Sequence, residues 1–379
     1  MTMVTNVTNL NPSYSDLPRV CPSDFNFGSV IGTGNFCAVY DVRLSERNSL
    51  VVGGEKIYTR NKNVDSTLTT FQVGEKHKRS AIHKTSITDA LISLSTSENR
   101  NNYVAKLPHS DNISKYRECF NCLIREAKIL SSLNHQNIIK IHGISKYDTF
   151  GYNFTGINQK PFFILVDKLS HNLEERITTW RSASKEMKII KELEVSCDRN
   201  DVNHFLSIRL DILFDIASAL KYLHSKQIIH RDIKPENIGF DCQGEVKLFD
   251  FGLAKKLNPV TKMKNGLYKL AGGTGSCRYM SPEVAKYKNY NELADVYSFG
   301  LLMWTVLSLQ IPFKNYNCSK WHKFVVKGKE RPSLDNDVLP EIIPASIKML
   351  IDSCWKDRID SRPNFDVIVD ELRSISCSW

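Results

Sequence analysis

The chain has no uninterrupted apolar run long enough to cross a bilayer. Its longest apolar stretch, Phe299 to Phe313, is broken by Ser308, Gln310 and Pro312 and preceded by Asp295, which marks a buried core helix. The opening residues, Met1 to Pro18, lack a basic region followed by an apolar run, so the expectation is a cytoplasmic or nuclear protein with no membrane insertion. Cysteine is neither dense nor patterned. The ten cysteines are scattered, and the tight pair Cys119 and Cys122 has no second pair or histidine cluster at metal-ligand spacing, which points to reduced, structural thiols. The sequons at Asn6 and Asn153 then carry no meaning, because nothing routes the chain through a secretory pathway. Calcium loops, lipidation motifs and internal repeats are also missing.

What is present begins with charge. The formal net charge is +10, but the basic residues are dispersed, which argues for no nucleic acid and for a solvated surface that favours acidic substrates. The densest run, Lys76 to Lys84, lies in a polar segment.

Residues 1–23 are polar, with Pro12, Pro18 and Pro22, and read as a flexible extension. From Phe25 to Leu44 apolar residues bracket a glycine-containing turn, predicting a strand, a tight loop and a second strand. Residues 45–102 are rich in Ser, Thr, Asn and Lys and read as a long insertion. Tyr103 to Leu107 is a predicted strand; Phe120, Leu123, Ala127 and Leu130 mark an amphipathic helix, and Ile138 to Ile144 and Phe162 to Val166 are further strands. Residues 181–203 form a second polar insertion with helical character. Beyond it Leu206, Leu210, Leu213, Ala217 and Leu220 define a long helix to about His224. Strands come first and helices later, an α+β arrangement of two unlike lobes.

Moving a phosphoryl group requires a cradle for nucleotide phosphates, a divalent cation and a carboxylate aimed at the acceptor hydroxyl. Ile31-Gly-Thr-Gly-Asn-Phe-Cys-Ala-Val-Tyr40 supplies a candidate cradle: Gly32 and Gly34 let backbone approach phosphate, and Val39 can cover a flat base. Alone this turn is weak, and an ordinary hairpin explains it better. His230-Arg-Asp-Ile-Lys-Pro-Glu-Asn237 is far more specific, since it packs a base, a cation and an amide ligand into one loop. Asp250-Phe-Gly252 follows through an expected hairpin, Ile238 to Phe240 and Val246 to Phe249, which would return Asp250 beside Asn237. Two oxygen ligands of this kind suit Mg²⁺, which keeps several waters and uses few protein ligands.

These motifs, in this order and nearly at these spacings, resemble the eukaryotic protein kinase family from about Asp24 to the C-terminus. The resemblance implies a two-lobed protein kinase domain over residues 24–379: a small β-rich lobe at 24–166 with one helix, a hinge at 167–170 and a larger, mainly helical lobe at 171–379. It implies that Asp232 orients the substrate hydroxyl and accepts its proton, and that Lys234 steadies the γ-phosphate of ATP. Asn237 and Asp250 would hold Mg²⁺. Nucleotide contacts are implied at Ile31, Gly32, Thr33, Gly34 and Val39, at Val166, Asp167 and Leu169 of the hinge region, and at a phosphate-binding lysine.

Tyr103-Val-Ala-Lys106 resembles the strand carrying that lysine, with Glu126 as its ion-pair partner. Lys56 is the rival, at the usual distance from the glycine loop, but it sits in Gly-Gly-Glu-Lys, a poor strand, and Lys106 is preferred. Ser281-Pro-Glu283 and Arg362 resemble a buried structural pair, Asp295 resembles the brace of the catalytic loop, and His230 resembles a packing residue. Lys234 and Ser276 match the serine/threonine form, and GSCRYMSPE and ADVYSFG resemble the tyrosine-kinase-like group. The expected activity is serine/threonine phosphorylation of protein substrates; dual specificity and a nucleotide-binding pseudokinase scaffold stay open. Arg231 suggests regulation by phosphorylation of the segment after Asp250, at Thr274 first and Thr261 or Tyr268 next. The two insertions are candidate docking elements for partners. Three departures stand out: Cys37 where a third glycine is common, read first as a small space-filling residue and second as an oxidisable thiol; Ala105, not Val104, beside Lys106, which alters the usual Ala-x-Lys; and Gly239 where a leucine normally lies under adenine, implying weakened nucleotide binding.

Overall fold

The computed structural model describes residues 17–34, 37–45, 49–52, 55–58, 102–109, 113–146, 162–192, 199–339 and 343–376. Residues 1–16 of the expected N-terminal extension, the basic run at Lys76 to Lys84 and most of the 45–102 insertion lie outside the described residues. The expectation that residues up to 23 form a flexible extension is corrected, because Arg19–Val20 pairs with Ile144–Ser145 in the main sheet and Val20 is buried. The chain forms two compact units, residues 1–123 with 141–168, and residues 124–140 with 169–379. This partition places 124–140 with the helical unit, where the linear reading kept it in the β-rich lobe.

The first unit is built on β1 (Arg19–Val20), β2 (Phe25–Thr33), β3 (Cys37–Leu44), β6 (Tyr103–Pro108), β7 (Ile141–Ser145) and β8 (Ile164–Asp167). They form one sheet in the order β1-β7-β8-β6-β3-β2, antiparallel except for the β1–β7 pair. One face gathers Val20, Phe25, Val42, Tyr103, Ala105, Phe163 and Leu165 into a core, with Phe163 edge-on to Phe27 at 5.6 Å. Burial of such side chains stabilises by about 1.5–3 kcal/mol each. In contrast, Val30 and Ile31 on β2 are about half exposed, 47% and 49%, so this strand leaves its apolar groups open at its glycine-bearing end.

Inside the first expected insertion, β4 (Ser49–Val52) and β5 (Glu55–Tyr58) form a separate antiparallel pair, Val52 opposite Glu55. The expectation of a poor strand at Lys56 is therefore corrected. Gly53-Gly54 between Leu50-Val-Val and Ile57-Tyr58 is a two-residue hairpin signal, outweighed in the sequence reading by the polar composition around it.

Helix α1 (Ile113–Leu130) begins earlier than its apolar spacing implied, and buries Cys119, Leu123, Glu126, Ala127 and Leu130. The second unit is mainly helical: α2 (Leu173–Glu192), α3 (Arg199–Ser225), α4 (Pro282–Ala285), α5 (Leu293–Ser308), α6 (Cys318–Trp321), α7 (Ala345–Cys354) and α8 (Phe365–Ser376). The stripe Leu206, Leu210, Leu213, Ala217 and Leu220 on α3 is buried as expected. Residues 181–192 continue α2, and α3 starts at Arg199. Glu, Lys, Met and Leu in this polar stretch are good helix formers and no Pro or Gly interrupts them. In α5 every residue from Ala294 to Leu307 is buried, and Leu309 stops the helix in the left-handed region at φ 55.

A carboxylate on α3 gives a pH-dependent prediction. Burial, then the carboxylates of Glu245 and Asp211, push Asp215 up from 3.8 to about 6 against the opposing Lys247. A raised folded value means that protonated Asp215 stabilises the fold below pH 4, and that this contribution is lost as pH rises through 6. Asp215→Asn is expected to raise the melting temperature at pH 8 and leave it nearly unchanged at pH 4. Thermal melts at both pH values check this, and equal shifts would contradict it.

Candidate active site

The second unit assembles the loop from His230 to Asn237 on a buried support. β10 (Ile228–Ile229) leads into it and pairs with β13 (Lys255–Lys256). Asp295, fully buried near the start of α5, takes the His230 backbone N–H on Oδ2 and the Arg231 N–H on Oδ1, both at 2.8 Å. His224 Nε2 lies 3.1 Å from the same carboxylate. Burial alone would raise Asp295, but the His224 hydrogen bond, the charges of His224 and His230 and the His230 amide together hold it below the ordinary carboxylate value. That grip fixes Arg231 at φ 69, a conformation a non-glycine residue adopts only where its surroundings impose it.

On this support Asp232 is held from three sides. Its Oδ2 accepts from Asn237 Nδ2 at 2.9 Å and lies 2.9 Å from Lys234 Nζ, while its Oδ1 accepts the Ser276 backbone N–H at 2.8 Å. Lys234 Nζ also donates to Ser276 Oγ at 2.7 Å. Asn237 donates a second time, to the Asp232 carbonyl at 2.8 Å, so both amide hydrogens face Asp232 and the amide oxygen is left as an acceptor. Charge-assisted contacts of this length fix a carboxylate's direction more firmly than neutral ones.

The hairpin after Asn237 has the expected form. β11 (Ile238–Phe240) pairs antiparallel with β12 (Val246–Leu248), and the turn is closed by Asp241 Oδ1 accepting from Gln243 and Glu245, with Gly244 at φ 85. Phe249 N donates to the Asn237 carbonyl at 3.0 Å, which returns the following Asp250 beside Asn237. Asp250 is itself left-handed at φ 62, a second strained residue in the same loop pair. The set, an amide oxygen and a carboxylate on adjoining backbone, suits a hard cation that takes oxygen ligands.

His230 is fully buried, packs edge-on to Phe251 at 4.9 Å and places Nε2 3.2 Å from the Phe249 carbonyl. Burial, outweighing nearby carboxylates, lowers its imidazole, which fits packing and not proton transfer. Glu283 and Arg362 form a buried two-pronged pair at 2.7 and 2.9 Å, and Arg362 also donates to the Lys356 and Leu293 carbonyls. Gly275 was not singled out by the sequence reading. At φ 98 it lets the chain pass against the Arg231 carbonyl where a Cβ would collide, so that Ser276 can reach Asp232. The signal was present in Gly272-Gly-Thr-Gly275.

At Gly239 the missing side chain leaves no gap. The space its missing side chain would use is filled by Leu169: a Cβ built there would collide with Leu169 Cδ1 and lie 3.2 Å from Cγ and 3.3 Å from Cβ. The position is occupied and not hollow. Gly239→Leu, which would restore the family's usual residue, is expected to destabilise by about 1–3 kcal/mol through overpacking. Denaturant unfolding checks this, and an unchanged or higher stability would contradict it.

In the first unit, Lys106 lies on β6 opposite Val39 of β3, next in register to the Gly32–Val39 pair. Gly34 N donates to the Cys37 carbonyl at 2.9 Å, closing the base of the glycine turn. Ile31 and Thr33 complete the same strand end; Val166 and Asp167 end β8, Asp167 with His142 Nε2 at 2.6 Å. Glu126 is buried on α1. Lys56 belongs to the separate hairpin sheet and not to the sheet holding Val39.

A match to the protein kinase domain family covers residues 90–372 of this chain, and the chain belongs to that family. The matched region contains Lys106, Glu126 and the loops around Asp232 and Asp250, and leaves out Lys56 and the glycine turn. Relatives in Dictyostelium discoideum include a probable LIM domain-containing serine/threonine-protein kinase, 36% identical over 44% of this chain and 24% of its own length. A probable serine/threonine-protein kinase, gdt4, is 28% identical over 66% of this chain and 13% of its own. A dual specificity protein kinase, shkC, is 35% identical over 44% of this chain and 32% of its own. The chain thus spans less than a third of the length of these relatives. Among the described residues, no helix is long and apolar enough to cross a membrane.

Proposed function

We propose that this chain is a protein serine/threonine kinase that moves the γ-phosphate of ATP to Ser or Thr hydroxyls of protein substrates. The observation that carries the reading is the Asp232 carboxylate held between Asn237, Ser276 and Lys234. Asp232 orients the acceptor hydroxyl and takes its proton as the oxygen attacks phosphorus. Lys234, shared between Asp232 and Ser276, offers its ammonium to the transferring phosphoryl group. Asn237 Oδ1 and the Asp250 carboxylate would hold Mg²⁺, which when bound would neutralise charge on the phosphates. Lys106 is the lysine for the nucleotide phosphates, alongside Ile31, Gly32, Thr33 and Gly34, and Glu126 is the acidic residue that the family pattern assigns to it. Val39, Val166, Asp167 and Leu169 are the base contacts, Leu169 now with its side chain against Gly239.

Serine/threonine preference is supported by the Lys234–Ser276 contact and by the names of two of the relatives. A second reading, dual specificity, draws on the name of shkC. Phosphoamino-acid analysis of a generic protein acceptor after incubation with labelled ATP separates them. Label on serine and threonine alone is the expected result, and tyrosine as the main product would overturn the preference.

A further inference from the structure

The segment after Asp250 is joined to the loop of Asp232 by a residue that belongs to none of the sequence motifs of the site. Tyr290 lies between α4 and α5 with its ring fully buried, packed in one core cluster with Ile229, Leu257, Tyr268 and Met280. Its backbone pairs with Tyr268: Tyr268 N donates to the Tyr290 carbonyl at 2.9 Å, and Tyr290 N donates to the Tyr268 carbonyl at 3.2 Å. The hydroxyl reaches in two directions. Tyr290 Oη donates to the Ala271 carbonyl at 2.8 Å and accepts from Arg231 Nη1 at 3.4 Å, while Arg231 Nε donates to the Leu253 carbonyl at 2.7 Å. Burial raises the Tyr290 phenol above its ordinary value in spite of the neighbouring Arg231, so the group stays a donor across neutral pH.

These bonds close a ring around the acceptor side of the site. The Ala271 carbonyl takes a second bond, from Thr274 Oγ1 at 3.1 Å, and two residues further on Ser276 N donates to Asp232 Oδ1 at 2.8 Å. Gly273 N donates to the Val284 carbonyl at 2.9 Å, which ties the middle of the stretch to α4. The path from Arg231 through Tyr290, Ala271, Thr274 and Ser276 thus ends on Asp232, the residue next to Arg231. Whatever fixes Ala271 therefore bears on the direction of the Asp232 carboxylate. Two of the hydroxyls expected to carry phosphate are already committed. Thr274 serves the ring as a donor, and phosphorylation would set acceptor oxygens against the Ala271 carbonyl in place of that donor. Tyr268 is only 5% exposed, in the same core as Tyr290.

We infer that Tyr290 is a positioning residue whose hydroxyl joins Arg231 to Ala271 and holds residues 271–276 against Asp232 with no need of a phosphate on the segment. An arginine bond to phosphate is stronger than one to a phenol. The phenol, however, stands on a ring already fixed in the core, so no further side-chain freedom is lost when the bond forms. The effect of Tyr290 on transfer rests on the proposed kinase activity, whereas its hold on the segment rests on the bonds alone.

The test sets Tyr290→Phe, which keeps the buried ring, beside the wild-type full chain, both treated with phosphatase and shown free of phosphate by intact mass. Hydrogen exchange of peptides covering residues 271–276 and initial rates of transfer to a protein acceptor are measured on the same preparations. Treated wild type is expected to keep the protection and the rate of the untreated chain. Tyr290→Phe is expected to exchange faster over 271–276 and to lose roughly three- to tenfold in kcat, about the worth of one hydrogen bond, with the KM for ATP unchanged. A general loss of stability would not spare that KM while lowering kcat. Exchange in Tyr290→Phe equal to that of wild type, a fall in kcat below about twofold, or phosphatase opening the wild-type segment as far as the substitution does would each overturn the inference. The exchange measurement needs no transfer, so the expected pattern in a chain that moves no phosphate would support the hold on the segment and contradict the kinase reading.

Discussion

Asp232→Ala is expected to lower phosphoryl transfer by roughly 10²–10⁴-fold, the usual contribution of a positioned general base. The variant removes the group that collects Asn237 Nδ2, Ser276 N and Lys234 Nζ. Lys234 keeps its contact with Ser276 Oγ, and Asn237 keeps the Asp232 carbonyl, so the loop retains two of its ties. Activity should therefore collapse while the melting temperature moves little. Initial rates on a protein acceptor, with a thermal melt of the same preparation, check both halves. A variant that keeps about a tenth or more of wild-type activity would contradict the role given to this carboxylate.

Asp295→Ala is expected to cost several kcal/mol of stability, with loss of activity as a consequence. Its carboxylate satisfies two backbone N–H groups, of His230 and Arg231, and a ring nitrogen of His224. Leaving a buried donor unsatisfied costs about 1–3 kcal/mol each, and a cavity adds to this. Without the carboxylate the Arg231 backbone N–H loses its partner, and the side-chain bonds to the Leu253 carbonyl and the Tyr290 hydroxyl are left to hold the residue at φ 69. The lowered titration of Asp295 sets the pH dependence: its contribution is complete above the ordinary carboxylate value and is lost as pH falls through the lowered one. The gap between wild type and variant should be wide at pH 7 and narrow in strong acid. Denaturant unfolding at both ends measures it, and a loss below about 1 kcal/mol at pH 7 would contradict the bracing role.

The contrast between these two aspartates shows what a sequence displays of such a site. His230 to Asn237 and Asp250 to Gly252 were legible because short-range geometry dictates them: a tight hairpin with Asp241 and Gly244 at its turn must return Asp250 near Asn237. Packing between distant segments was not legible. Leu169 lies 70 residues before Gly239 by number, and nothing in either neighbourhood states that one side chain fills the other's space. The β4–β5 hairpin was hidden because polar composition over the whole insertion outweighed the apolar signal of Leu50, Val51, Val52, Ile57 and Tyr58. The placement of 124–140 with the helical unit depends on pairings such as Asn137 Nδ2 to the Val246 carbonyl at 3.2 Å and Ile139 N to the Leu248 carbonyl at 3.0 Å. No local pattern in 124–140 encodes those partners.

The central claim is phosphoryl transfer by the loop pair of Asp232, Asn237 and Asp250. It is tested most directly by incubating the wild-type chain and Asp250→Ala with γ-labelled ATP, Mg²⁺ and a protein acceptor. The account predicts label on the acceptor with wild type and essentially none with the variant, both proteins melting as folded. Equal labelling by the two, or none by a folded wild type, would contradict it.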